Sequence, residues 1–88
     1  METAGSILIV EDHKSMRETL EIFFRRNGWA VEACDGGVEA RRRLAAQPPF
    51  EIIVTDLVMP EVDGIEVLRE VKRVDATMQV VVITAYAR

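Results

Sequence analysis

The chain is poor in the residues that cross-link, break or loosen a fold. Of its 88 residues, one is cysteine, three are proline and five are glycine. A single Cys34 excludes an internal disulfide and fits a reducing, cytoplasmic location. So little proline and glycine leaves no room for a long linker, and the length predicts one domain over residues 1–88.

Excess positive charge and long apolar runs are also missing. The 11 Lys and Arg residues against 15 Asp and Glu give a net charge of −4 at pH 7, which argues against direct nucleic-acid binding. No apolar run approaches the roughly 18 residues that cross a membrane, and no basic segment precedes the first apolar run as in a secretory leader. Neither a Walker A loop nor G-x-G-x-x-G is present, which argues against those nucleotide-binding sites.

Four short apolar runs stand out against this background. They are rich in β-branched residues, which is typical of strands buried on both faces of a parallel sheet. The segments between them have apolar residues at helical spacing. The resulting order βαβαβαβ predicts a doubly wound α/β fold with right-handed crossovers. The predicted strands are 6–10, 29–33, 51–55 and 79–83, and the predicted helices are 15–27, 38–46 and 64–74.

Local sequence also predicts where the helices begin and end. Ser15 and Glu18 match a capping box, and Gly28 is a natural C-terminal stop for the first helix. Because Phe23 and Phe24 are adjacent, only one of them can face the core centrally.

Polar residues follow three of the predicted strands. Glu11 and Asp12 follow the first, Asp56 the third and Thr84 the last. Carboxyl ends of parallel strands meet at the edge where ligands gather, and clustered carboxylates repel one another. Mg²⁺ prefers such oxygen ligands, so the pattern predicts a Mg²⁺ site beside a phosphoryl group. A lone Asp after a strand more often caps a turn, but three acidic residues at one edge favour function.

These segments together resemble the receiver domain of bacterial two-component response regulators, over Ile7 to Ala87. The resemblance implies a flavodoxin-like parallel sheet with strand order 2-1-3-4. The order and spacing of the matching segments are together highly specific for this family, although each segment alone is a weak indication. The matching segments are Ile7–Asp12, Ile52–Pro60, Asp63–Gly64 and Val81–Ala85.

The resemblance also implies a role for each site residue. Asp56 would accept a phosphoryl group from a kinase phosphohistidine, and would bind Mg²⁺ together with Asp12. Glu11 would act through a metal-bound water, and the backbone carbonyl of Val58 would be a further ligand. The phosphoryl-binding and switch residues would be Thr84 and Ala85, and Val58 and Tyr86 match positions that tune dephosphorylation.

Receivers normally continue with a helix, a fifth strand ending in a lysine, and a last helix. Neither Lys14 nor Lys72 matches that lysine, so the expectation is an incomplete receiver that ends after the fourth strand and has no catalytic lysine. Its partners would be a histidine kinase or phosphotransfer protein and a C-terminal output domain. Because Val80–Ile83 would form an unprotected edge strand, self-association is expected too.

Two other functions compete with a phosphorylatable receiver. One is a receiver-like fragment that no longer switches and only binds partners. The other is an aspartyl phosphatase, which would usually carry a second Asp two residues after the nucleophile, where Val58 stands here. His13 follows the acidic pair, where a metal ligand or a phosphohistidine is the alternative, but it is expected to be a solvated or capping residue. Trp29 is expected to be a packing residue, and Arg41–Arg43 a solvated helix face rather than a contact for a partner or an anionic surface.

Overall fold

The predicted strands all form, and so do the first two predicted helices. The structure is a computed structural model and describes residues 5–46, 50–56, 69, 72–73 and 79–83. The predicted third helix, 64–74, lies outside the described residues apart from Arg69, Lys72 and Arg73, which are helical. The elements are β1 (Gly5–Val10), α1 (Lys14–Arg26), β2 (Trp29–Cys34), α2 (Gly37–Ala46), β3 (Ile52–Asp56) and β4 (Gln79–Ile83).

The strands form one parallel sheet in the order β2-β1-β3-β4, as predicted. β1 lies between β2 and β3, and its last residue, Val10, pairs with Cys34 on one side and Thr55 on the other. The residues that come next, Glu11, Asp35 and Asp56, therefore follow neighbouring positions at the same edge. Among the described residues, no helix is both long and apolar enough to cross a membrane.

β1 supplies the centre of the core on both faces of the sheet. Leu8 and Val10 face one side and Ile7 and Ile9 the other, and all four are buried. Burying each such side chain contributes roughly 1.5–3 kcal/mol, so the strand that leads into the acidic residues is firmly held. Each face therefore carries a hydrophobic cluster. The first cluster contains Leu8 and Val10 with Ala40, Leu44, Phe50 and Ile53. The second contains Ile7 and Ile9 with Val54, and Leu20, Phe24, Trp29 and Val31 pack against it.

The aromatic residues confirm two expectations. Phe24 packs against the second cluster, whereas the side chain of its neighbour Phe23 is 55% exposed. Trp29 packs against the same cluster and meets the ring of Phe24 edge-on, with centroids 6.3 Å apart. Trp29 is therefore a packing residue.

The predicted capping box at the start of α1 is wrong. The helix begins at Lys14, its N-cap residue is His13, and Ser15 lies inside the first turn. The N–H of Arg17 donates to the carbonyl of His13 at 2.9 Å, which starts the helical ladder before Ser15 can cap it. The C-terminal stop is confirmed, because Gly28 has φ of 89°, a conformation that favours glycine.

The arginine run on α2 is only partly a solvated face. Arg41 and Arg42 are exposed, as expected. Arg43 is instead half-buried and donates to Glu39 at 3.0 Å and to Glu32 on β2. Hydrogen bonds from Arg42 and Arg43 lower the pKa of Glu39. Arg43 therefore fastens α2 to the edge strand β2, and the prediction was wrong for this residue.

Candidate functional site

The first acidic residue at the sheet edge is held inside the protein. Glu11 continues β1, and its N–H donates to the carbonyl of Cys34 at 3.1 Å. The residue is only 1% exposed, which is unusual for a carboxylate because burial removes its hydration. Asp12 follows it and is partly buried.

His13 lies against both carboxylates. Its N–H donates to Oε2 of Glu11 at 3.1 Å, and its ring atom Nδ1 lies 3.1 Å from the same oxygen. Nδ1 also lies 3.3 Å from Oδ1 of Asp12. The side chain is 67% exposed and the residue is the N-cap of α1, so the expected exposure and position are confirmed. The contact with the carboxylates was missed.

Two oxygens of this group lack hydrogen-bond partners. Among the described residues, Oε1 of Glu11 and Oδ1 of Asp12 are buried and accept no hydrogen bond. Nδ1 of His13 approaches Oδ1 of Asp12 to 3.3 Å without forming a hydrogen bond to it. Leaving a charged oxygen buried and unsatisfied costs about 1–3 kcal/mol or more. A hard divalent cation would satisfy both oxygens, so these residues fit Mg²⁺.

Arg17 fixes the backbone of this turn. Its Nη1 donates to the carbonyl oxygen of Glu11 at 2.9 Å, from the first turn of α1 back to the end of β1. The sequence analysis missed this contact, because its only signal in the sequence is an arginine six residues after Glu11. Arg17 also lines an open cavity of about 380 Å³ with Cys34, Asp35, Glu39 and Arg43.

Cys34 takes no part in reactive chemistry in this cavity. It is 5% exposed, and burial raises the pKa of its thiol to about 11. The thiolate is the reactive form, so the thiol is inert near neutral pH. Cys34 is therefore a buried, unreactive residue.

Asp56 is brought to the same edge by its strand. It is the last residue of β3, and its backbone pairs with Ile83 of β4. Asp56 follows Thr55, and Glu11 follows Val10, which pairs with Thr55 across the sheet. Asp56 and Glu11 therefore occupy neighbouring positions on adjacent strands. The other predicted site residues, Val58, Thr84, Ala85 and Tyr86, lie outside the described residues.

A four-stranded parallel sheet in this order, with acidic residues at its carboxyl edge, is a receiver-like flavodoxin fold. The family described as the response regulator receiver domain matches residues 7–88. The chain belongs to this family, whose members are signalling modules of two-component systems.

Relatives and solved structures agree with this assignment. The response regulator receiver protein CpdR of Brucella abortus is 38% identical over 81 residues, which cover 92% of this chain and 67% of CpdR. The response regulator MprA of Mycobacterium ulcerans is 37% identical over 90% of this chain, which spans only 34% of MprA. The solved structure of TrrA from Thermotoga maritima, in complex with Mg²⁺-BeF, has a TM-score of 0.86 and 25% identity, and covers 99% of this chain and 72% of that chain.

Proposed function

We propose that this chain is a phosphorylatable receiver module, in which Asp56 accepts a phosphoryl group from the phosphohistidine of a kinase or phosphotransfer protein. One observation carries the proposal above all. A buried Glu11 with an unsatisfied oxygen lies beside Asp12, at the edge where Asp56 ends β3. A merely structural turn has no need of an unsatisfied buried carboxylate.

The Mg²⁺ site would use the residues that the family pattern assigns. Asp12, Asp56 and the backbone carbonyl of Val58 would bind the ion directly, and Glu11 would act through a water. When bound, the ion offsets negative charge on the reacting oxygens. The TrrA structure is a complex with Mg²⁺ and a beryllium fluoride group, which supports the same use of the site here.

The transfer itself would be carried by the chain's own side chains. A carboxylate oxygen of Asp56 would form a bond to phosphorus while the bond from phosphorus to the donor imidazole nitrogen breaks. The imidazole keeps the electron pair and takes up a proton. Thr84 and Ala85 would bind the phosphoryl oxygens, and water would later hydrolyse the acyl phosphate to inorganic phosphate and the free carboxylate.

The proposal also covers an output domain, the source of the phosphoryl group and self-association. The chain spans about two thirds of CpdR and one third of MprA, so an attached output domain is proposed by analogy. A cytoplasmic histidine kinase would be the phosphoryl source, since the acceptor carboxylate must meet a phosphohistidine. Self-association through β4 is proposed as well, from the exposed valines of that strand.

The test is phosphorylation by acetyl phosphate, followed by intact-mass measurement with and without Mg²⁺. We expect one added phosphoryl group on the wild-type chain, only when Mg²⁺ is present. Asp56→Asn should abolish the addition, because an amide is a far poorer nucleophile than a carboxylate. Asp35→Asn is the matched control, because Asp35 follows β2 at the same edge and is exposed. No addition to a folded wild-type chain would favour a receiver-like fragment that only binds partners.

A further inference from the structure

A groove runs along the outer face of α2, away from the core. The residues of α2 that line it lie three or four positions apart and so form one stripe of the helix. They are Val38, Arg41, Arg42 and Ala45, and all four are exposed. Ala40 and Leu44 lie on the opposite stripe and are buried in the core.

The other wall of the groove comes from a distant part of the chain. Arg73 is helical and exposed, and it lines the groove together with the α2 stripe. Three arginines therefore converge on a groove of about 620 Å³, although β3 separates Arg73 from the other two along the chain. The sequence analysis could not foresee this arrangement, because it considered only the run Arg41–Arg43.

Two of these arginines present their charge in different ways. Nε and Nη2 of Arg42 donate to the Glu39 carboxylate at 3.1 and 2.7 Å, which holds that side chain against the helix surface. The guanidinium of Arg41 has no ion-pair partner in the part of the chain that the structure describes. Arg41 therefore offers an uncompensated positive charge, and its planar fork of donors matches a carboxylate.

The groove also has an apolar part. Val38 is 55% exposed, Ala45 is exposed, and the methylene stems of the arginines extend this apolar surface. Arginine together with apolar side chains is typical of the buried centre of protein–protein interfaces. We infer that the groove binds a short acidic segment of a partner protein, whose carboxylates face the three arginines and whose apolar side chain contacts Val38.

The charge of the whole chain favours this partner over a nucleic acid or an anionic membrane. Those two are extended polyanions, and a chain with a net charge of −4 repels them outside the groove. A short segment meets only the groove, whose volume lies within the roughly 300–1,000 Å³ of sites that enclose small ligands. The inference goes beyond the proposed function, because none of the lining residues belongs to the acidic edge.

Calorimetry of the full chain with synthetic peptides tests the inference. The probe is a short peptide of glutamates around one leucine, and its control has glutamine in place of glutamate. We expect only the acidic peptide to bind, with an affinity that falls as salt rises. Arg41→Gln and Arg73→Gln should each weaken binding roughly two- to fivefold, the effect of one exposed ion pair. Arg26→Gln, which changes an exposed arginine of α1, is the matched control.

The apolar contact has its own test. Val38→Thr keeps the shape of the side chain but replaces a methyl group with a hydroxyl. It should weaken binding of the leucine peptide and leave unchanged the weaker binding of a peptide with alanine in place of leucine. In ¹⁵N spectra, the acidic peptide should shift the backbone amides of residues 38–45. Because the substituted side chains are exposed, the variants should fold like the wild type, which circular dichroism checks.

Three results would overturn the inference. They are no binding of the acidic peptide to the folded wild-type chain, equal binding by the wild type and by the Arg41 and Arg73 variants, and binding of an oligonucleotide or of phosphatidylglycerol vesicles instead of the peptide. Labelling of Asp56 by acetyl phosphate should be the same in Arg41→Gln and the wild type. Failure of peptide binding would therefore leave the proposed function intact, whereas a chain that binds the peptide but is not labelled would contradict only the proposed function.

Discussion

Arg17 donates a hydrogen bond of 2.9 Å from Nη1 to the backbone carbonyl oxygen of Glu11. The bond joins the first turn of α1 to the residue that leaves β1. The N–H of His13 closes the same turn on the Glu11 carboxylate at 3.1 Å. The two contacts hold the acidic residues in place, and the side chain of Ser15 is not needed to start the helix.

Arg17→Ala should loosen this turn. Loss of a charged donor to a partly buried carbonyl should lower the free energy of unfolding by about 1–2 kcal/mol. It should also weaken Mg²⁺ binding, because Glu11 would lose its fixed backbone position. Urea denaturation and calorimetry measure the two effects. Arg26→Ala, at the exposed end of the same helix, is the control, and equal effects from both variants would contradict the assignment.

Asp12→Ala should remove Mg²⁺ binding while leaving the fold intact. The residue is partly buried and one of its oxygens has no hydrogen-bond partner among the described residues, so its loss removes a ligand and relieves an unsatisfied group. Calorimetry or NMR is preferable to Trp29 fluorescence, because Trp29 packs in the core cluster under α1. Unchanged Mg²⁺ affinity in this variant would refute the metal assignment.

Stability should fall between pH 9 and pH 11 through Cys34. Burial raises the pKa of the folded thiol from 9.0 to about 11, so in this window the unfolded chain loses a proton that the folded chain keeps. Stability therefore decreases as pH rises, by up to about 3 kcal/mol above pH 11. Denaturation of the wild type and Cys34→Ala over this range measures the difference, and parallel pH profiles would show the prediction wrong.

The 88-residue chain should self-associate through β4. No described strand pairs with the side of β4 that faces away from β3, and Val81 and Val82 are 48% and 41% exposed. An exposed apolar edge is a template for pairing with another chain. Sedimentation over a range of concentrations should show oligomers, and Val81→Lys should reduce them. A monomer at all concentrations, with slow hydrogen exchange over residues 79–83, would exclude this edge as the interface.

The sequence predicted the sheet and its acidic edge because both depend on patterns that are local or shared by a family. The unbroken apolar runs Ile7–Val10 and Val80–Ile83 lie within β1 and β4, which form where the sequence predicts strands. Strand order came from the resemblance, and the parallel pairing of β1 with β2 and β3 confirms it. Glu11 and Asp56 reach one edge because each directly follows its strand.

Such patterns did not predict the side-chain contacts that form only once the chain has folded. Ser15 and Glu18 satisfy the capping-box rule, yet the helix begins earlier because the turn is fixed by Glu11 and Arg17. The contact of His13 with the carboxylates depends on where its ring lies once that turn has formed. Arg43 looked like a solvated residue, because its partner Glu32 is distant in sequence and is brought near only by packing of α2 on the sheet.

The most direct measurement identifies the phosphorylated residue. After treatment with acetyl phosphate and Mg²⁺, borohydride reduces an aspartyl phosphate to homoserine, which peptide mass spectrometry can locate. We predict conversion at Asp56 alone, with Asp12 and Asp35 unmodified and no phosphoryl group on His13. Conversion at another aspartate, phosphorylation of His13, or labelling that persists in Asp56→Asn would contradict the account.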